Sequence, residues 1–164
     1  MSYVPDVMSA TSINASILKA GTPTNATIGG RFTLSGTVNG QATIVSDRLR
    51  LPPGRSYYLE GSILVQNANR NGVIQWMWYN NTTGQYWGTE GFMNLATSYG
   101  ANTRTSRRVA SALVLSSELT STMDFELRIR NLTGSNWNLT ITSSGISSFN
   151  YVGYPSVRLL EIKT

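Results

Sequence analysis

The chain has 164 residues, about one domain's worth, with 40% apolar and 13% charged residues and a formal net charge of +5. It contains no cysteine and no histidine. Those absences exclude disulfides, thiolate nucleophiles, Ser-His-Asp and Cys-His catalysis, and thiolate or imidazole metal sites.

Residues 1–27 are rich in Ser, Thr and Ala, hold Pro5 and Pro23, and have no aromatic residue after Tyr3. They are expected to form an extended N-terminal arm with one short strand at Ser16–Ala20, ahead of a domain spanning 28–164. Nothing at the N-terminus has the basic start and apolar core of an export signal. No apolar run approaches the ~20 residues of a membrane span.

Beyond the arm, short apolar runs recur with period two and are punctuated by Asn, Gly, Ser and Pro. Arg31–Val38, Ala42–Val45 and Arg48–Leu51 are expected strands, the last closed by the turn Pro52-Pro53-Gly54. Ser56–Gln66 reads as one long strand, with Tyr57, Leu59, Gly61, Ile63 and Val65 on one face. Val73–Tyr79 and Gln85–Trp87 form a hairpin around Asn80–Gly84, and Glu90–Leu95 is a further short strand. Val109–Leu115 follows. Met123–Leu132 alternates Met123, Phe125, Leu127 and Ile129 against Asp124, Glu126, Arg128 and Arg130. Trp137–Thr142 and Val157–Lys163 complete the set, the last with Leu160 and Ile162 expected inward. No window carries a capped helical stripe. Roughly eight to ten antiparallel strands suit a single jelly-roll β-sandwich, with an immunoglobulin-type sandwich as the alternative.

The stretch Leu49-Arg-Leu-Pro-Pro-Gly-Arg-Ser-Tyr-Tyr-Leu-Glu-Gly-Ser-Ile63 resembles a segment of tumour-necrosis-factor-like and complement-globular-head jelly rolls. Met123–Ile129 resembles their penultimate strands and Ser156–Ile162 their closing strand. The resemblance implies a trimeric jelly roll. Together with the Cys-free, Lys-poor, Ser/Thr/Asn-rich composition, it also implies a tailed-phage virion protein that decorates or cements a capsid. The partners so implied are further copies of the chain and the major capsid protein. The expected location is the capsid surface, after synthesis in the host cytoplasm. No receptor-binding or metal-binding motif of that superfamily is matched. A receptor- or carbohydrate-binding knob of a phage fibre is the alternative.

No catalytic residue, metal ligand or cofactor site is expected. Asp124 and Glu126 lie about 7 Å apart along one strand face, a spacing a glycosidase could use. Arg128 and Arg130 continue that face, so cross-strand charge pairing is the expectation. Glu90, beside the aromatic hairpin, is the one other acid with a candidate role. The hairpin residues Trp76, Trp78, Tyr86 and Trp87 are candidates for a subunit interface or for stacking on sugar rings. Arg104, Arg107 and Arg108 form the one close cationic cluster. With Tyr3, Val4 and Pro5 of the arm, they are the candidate capsid contacts. Aromatic residues do not interleave with these arginines, so a protein partner is expected rather than nucleic acid.

Overall fold

The computed structural model describes residues 13–24, 27–67, 72–95, 102–105, 109–133 and 156–163. Among them the chain is all-β, with twelve strands and no helix. In chain order these are β1 (Ile13–Pro23), β2 (Phe32–Ser35), β3 (Thr43–Val45), β4 (Arg48–Leu51), β5 (Arg55–Gly61) and β6 (Leu64–Asn67). They continue with β7 (Gly72–Asn80), β8 (Gln85–Leu95), β9 (Asn102–Thr105), β10 (Ala110–Val114), β11 (Met123–Thr133) and β12 (Ser156–Lys163).

Ten strands join in one antiparallel sheet, ordered β2-β1-β12-β5-β10-β8-β7-β11-β4-β3, and β6 pairs with β9 in a separate ribbon. The join between β10 and β8 is a single residue pair, Ser111 with Thr89. There the sheet turns, so that β2-β1-β12-β5-β10 faces β8-β7-β11-β4-β3. Gly88 makes the turn possible: its φ is +82°, and a Cβ at that position would overlap the carbonyl oxygen of Ser111. Residues 29–31 cross to the second half and take up β11 beyond the end of β4. Gly29 donates to the Ile129 carbonyl at 2.8 Å, Ile129 donates to that of Gly30 at 2.9 Å, and Arg31 pairs with Arg128.

The inward alternation of both halves builds one core. Tyr57 and Leu59 of β5, Trp76 and Trp78 of β7, Phe125, Leu127 and Ile129 of β11 and Val157 and Leu159 of β12 are fully buried. The two halves are stitched across that core. The Trp76 indole donates to the Gly61 carbonyl at 2.9 Å and the Trp78 indole to that of Ala110 at 3.2 Å. Buried indoles need such an acceptor, and these two find theirs on the opposite half. Leu127 packs into the space a Cβ at Gly61 would take, 2.8 Å from its ideal position.

Several sequence expectations change. β1 is a full strand, paired with β12 on one side and β2 on the other. An arm ending at residue 27 would thus include a sheet strand; residues 1–12, Tyr3, Val4 and Pro5 with them, lie outside the described residues. β2 stops at Ser35, where Gly36 turns the chain with φ +132°. The long strand expected over 56–66 divides at Ser62-Ile63 into β5 and β6, and the latter leaves for the ribbon. Gln85–Trp87 and Glu90–Leu95 are instead one strand, β8, whose register against β7 shifts between Trp76 and Trp78. Trp137–Thr142 falls outside the described residues.

β12 shows its other face to the core. Val157, Leu159 and Glu161 point inward, whereas Leu160 and Ile162 lie on the outer side, half-buried. Burial of Glu161 is tolerated because its carboxylate is satisfied. It accepts the Gln41 backbone N–H at 2.6 Å and the Asn14 amide at 3.5 Å, with Arg55 Nε 3.8 Å away.

Candidate interaction surfaces

The sandwich presents two outer faces of opposite chemistry. On the half β1-β12-β5-β10 the cross-strand register aligns Ala15, Leu160, Tyr58 and Leu113 in one row. Ile13 and Ile162 pair beside it on one flank, and Ile17 sits opposite Arg158 on the other. This face is apolar and open: Ile17 is 66% exposed, Leu113 49% and Leu115 43%. One polar strip crosses it. Arg158 lies 3.7 Å from Glu60, whose carboxylate also accepts the Tyr58 hydroxyl at 3.1 Å. Burial, with Glu60 adding to it, raises the Tyr58 pKa above its ordinary value.

The outer face of β8-β7-β11-β4-β3 is charged. Register places Tyr86, Tyr79 and Glu126 side by side on β8, β7 and β11. Glu126 is 0% exposed. Its two oxygens take two guanidinium groups, Arg48 Nε at 3.0 Å and Arg128 Nε in a short contact. The Arg128 guanidinium carbon in turn lies 3.6 Å from the centre of the Tyr79 ring, a cation–π stack, and Tyr79 meets Tyr86 edge to face at 5.1 Å. Three further pairs flank this centre. Arg50 grips Asp124 through Nε and Nη2 at 2.9 and 3.0 Å, Arg130 meets Glu90 at 2.9 Å, and Arg31 approaches Asp47 to 3.8 Å. The hydrogen bonds from Arg50 hold the Asp124 carboxyl below its ordinary range, against the opposing effect of burial. Gln75 ties the edge, donating to Glu90 and accepting from Asn131, both at 2.9 Å.

These positions sort the residues singled out from sequence. Asp124 and Glu126 are paired with Arg50 and Arg48 of β4, the cross-strand pairing expected of that face, and Glu90, the other candidate acid, is held by Arg130. Trp76 and Trp78 are 0% exposed, so their rings offer no face to a sugar or to another subunit. Trp87, partly buried, packs edge to face on Phe125 at 5.7 Å. Tyr86 is the most exposed of the four, at 36%. Arg104 falls in β9, opposite Val65 of β6, while Arg107 and Arg108 lie outside the described residues, in the link from β9 to β10. Among the described residues no group of three or more carboxylates gathers as a metal site would require. Two features escaped the sequence reading. One is the apolar outer face, because the pattern of β12 is equally compatible with Leu160 and Ile162 facing inward. The other is the burial of Glu126, which the composition of β11 alone does not reveal.

Comparison with known protein families finds no model that matches this chain, and comparison with curated proteins finds no match to it.

Proposed function

We propose that this chain is a non-enzymatic structural protein of a phage virion: a jelly-roll domain that assembles as a homotrimer, sits on the outer surface of the capsid and stabilises contacts between capsomers. The observation that carries this reading is the apolar outer face of β1-β12-β5-β10. Ile17, Leu113 and Leu115 leave greasy surface on a domain whose core is already complete. Identical copies supply a matching apolar face at no cost in specificity. The strand order supports the jelly roll, since β1-β12-β5-β10 packed against β4-β11-β7-β8 is a pair of four-stranded antiparallel layers. The carboxylates support a non-enzymatic role, because those nearest to an acid–base arrangement are committed to arginine.

Attachment to the shell is assigned to residues 1–12, with Tyr3, Val4 and Pro5, and to the link bearing Arg107 and Arg108. Three copies held together present three such contacts at once, and effective concentration multiplies a weak individual affinity.

Light scattering tests the assembly. The expected mass is about three times the 17.9 kDa of one chain, and Ile17→Lys with Leu113→Glu shifts it to a folded monomer. A wild-type monomer overturns the proposal. Sedimentation with phage heads stripped of their surface proteins tests the location; a trimer that stays in the supernatant limits the reading to self-assembly.

A further inference from the structure

The charged face lies on the opposite side of the sandwich from the apolar one and has its own logic. At its centre the acid is the hidden partner and the arginines are the visible ones. Glu126 is 0% exposed, yet the Arg48 and Arg128 side chains it holds keep 28% and 23% of their surface in solvent. Two guanidinium groups share that one buried carboxylate, so the centre of the face carries one uncompensated positive charge. Both are held through Nε, and Arg128 is further fixed by the Tyr79 ring. They are therefore set in place before any ligand arrives, and ordering them costs little on binding. Arginine forks of this kind match a carboxylate in two hydrogen bonds at once.

We propose that Arg48 and Arg128 form a docking point for a carboxylate on a protein partner: an exposed Asp or Glu side chain that completes the second half of the pairing begun by Glu126. The flanks select a protein surface over a nucleic acid. Arg50, Arg130 and Arg31 are each matched by Asp124, Glu90 or Asp47. A strand of evenly spaced phosphates meets those acids on both sides, whereas one side-chain carboxylate lands between them. Net attraction for a polyanion also needs excess charge to release its counterions, and here five arginines face four acids.

The test is fluorescence anisotropy at low salt with a labelled peptide carrying a single glutamate among serine and glycine residues, against a six-residue oligothymidylate. The peptide is expected to bind saturably and more tightly than the oligonucleotide. In Arg48→Gln/Glu126→Gln, which removes one of the two forks together with the buried carboxylate and leaves Arg128 held by the Tyr79 ring, affinity is expected to fall about tenfold, roughly the 1.4 kcal/mol of one good charged contact. Arg158→Gln, on the apolar face, is expected to bind as wild type. Arg48→Lys keeps the charge and loses the fork, and a several-fold weakening is expected should the double variant not fold. Absence of saturable peptide binding, equal binding by the Arg48 variants, or tighter binding of the oligothymidylate overturns the proposal.

Discussion

Tyr57 shows how one inward side chain couples the fold to solution conditions. Its ring is fully buried and its hydroxyl donates to the Pro52 carbonyl at 3.3 Å. Burial, and secondarily the Glu161 carboxylate, pushes its pKa from 10.0 up to about 12, with Arg55 pulling the other way. The folded-state value lies above the unfolded one, so the folded protein favours the neutral phenol. That contribution to stability is complete below pH 10 and is lost as pH climbs from there through 12. Urea unfolding of the wild type is therefore expected to become easier over this interval, and that component of the pH dependence disappears in Tyr57→Phe. Parallel pH profiles for the two proteins refute the assignment. Glu126 and Glu161 are the complementary case: carboxylates inside the fold that stay because each has its partners in place.

Among the elements, β8 has the most demanding task. It begins as the hairpin partner of β7, with Gln85 opposite Asn80, and ends opposite the start of β7, with Leu95 facing Gly72. The hairpin itself is tight: the Asn80 side-chain oxygen accepts the backbone N–H groups of Thr82 and Thr83 at 2.9 and 3.1 Å, pinning the four-residue turn. Midway, β8 must also touch β10 to join the two halves, and it does so beside Gly88. Gly88→Ala brings a Cβ against the Ser111 carbonyl in a backbone conformation that L side chains avoid. A loss of about 3 kcal/mol or more is expected, read as a lower urea midpoint. An unchanged midpoint removes Gly88 from its place at the turn of the sheet.

For the molecule as a whole, β1 binds the first half together, lying between β2 and β12. Ser16 accepts the Asn39 backbone N–H at 2.8 Å, and the Asn39 side chain donates to the Ala15 carbonyl at 2.9 Å, so the link after β2 is fastened to this strand. Leu18 and Ala20 belong to the core. Two truncations divide the N-terminal region accordingly. Removal of residues 2–11 is expected to leave a folded protein of unchanged oligomeric mass. Removal of 2–20 takes away most of β1, including Leu18, whose burial alone is worth about 2–5 kcal/mol, and is expected to give insoluble protein. Equal solubility of both truncations shows that β1 is dispensable. With shells in hand, the shorter truncation also separates attachment by the first residues from attachment elsewhere.

Much of the β architecture was legible before any coordinates. The alternation of β11, the hairpin at Asn80–Gly84, the turn at Pro52–Gly54 and the shared face of Trp76 and Trp78 follow from the two-residue period of a strand and from the backbone preferences of Pro, Gly and Asn. Local pattern gave out where both faces of a strand are apolar. In β12, Leu159 and Leu160 point opposite ways, and nothing within Val157–Lys163 says which of them faces the core. Pairing with β1 and β5 settles it, because burying Leu159 also brings Glu161 to the Gln41 N–H. The same limit applies to Gly88 and to the break at Ser62-Ile63, which exist because strands distant in sequence must meet there. Side-chain alternation is a property of neighbours in the chain and is written in the sequence. The side on which an ambivalent strand buries its side chains depends on the strands it lies against, and only the assembled sheet decides it.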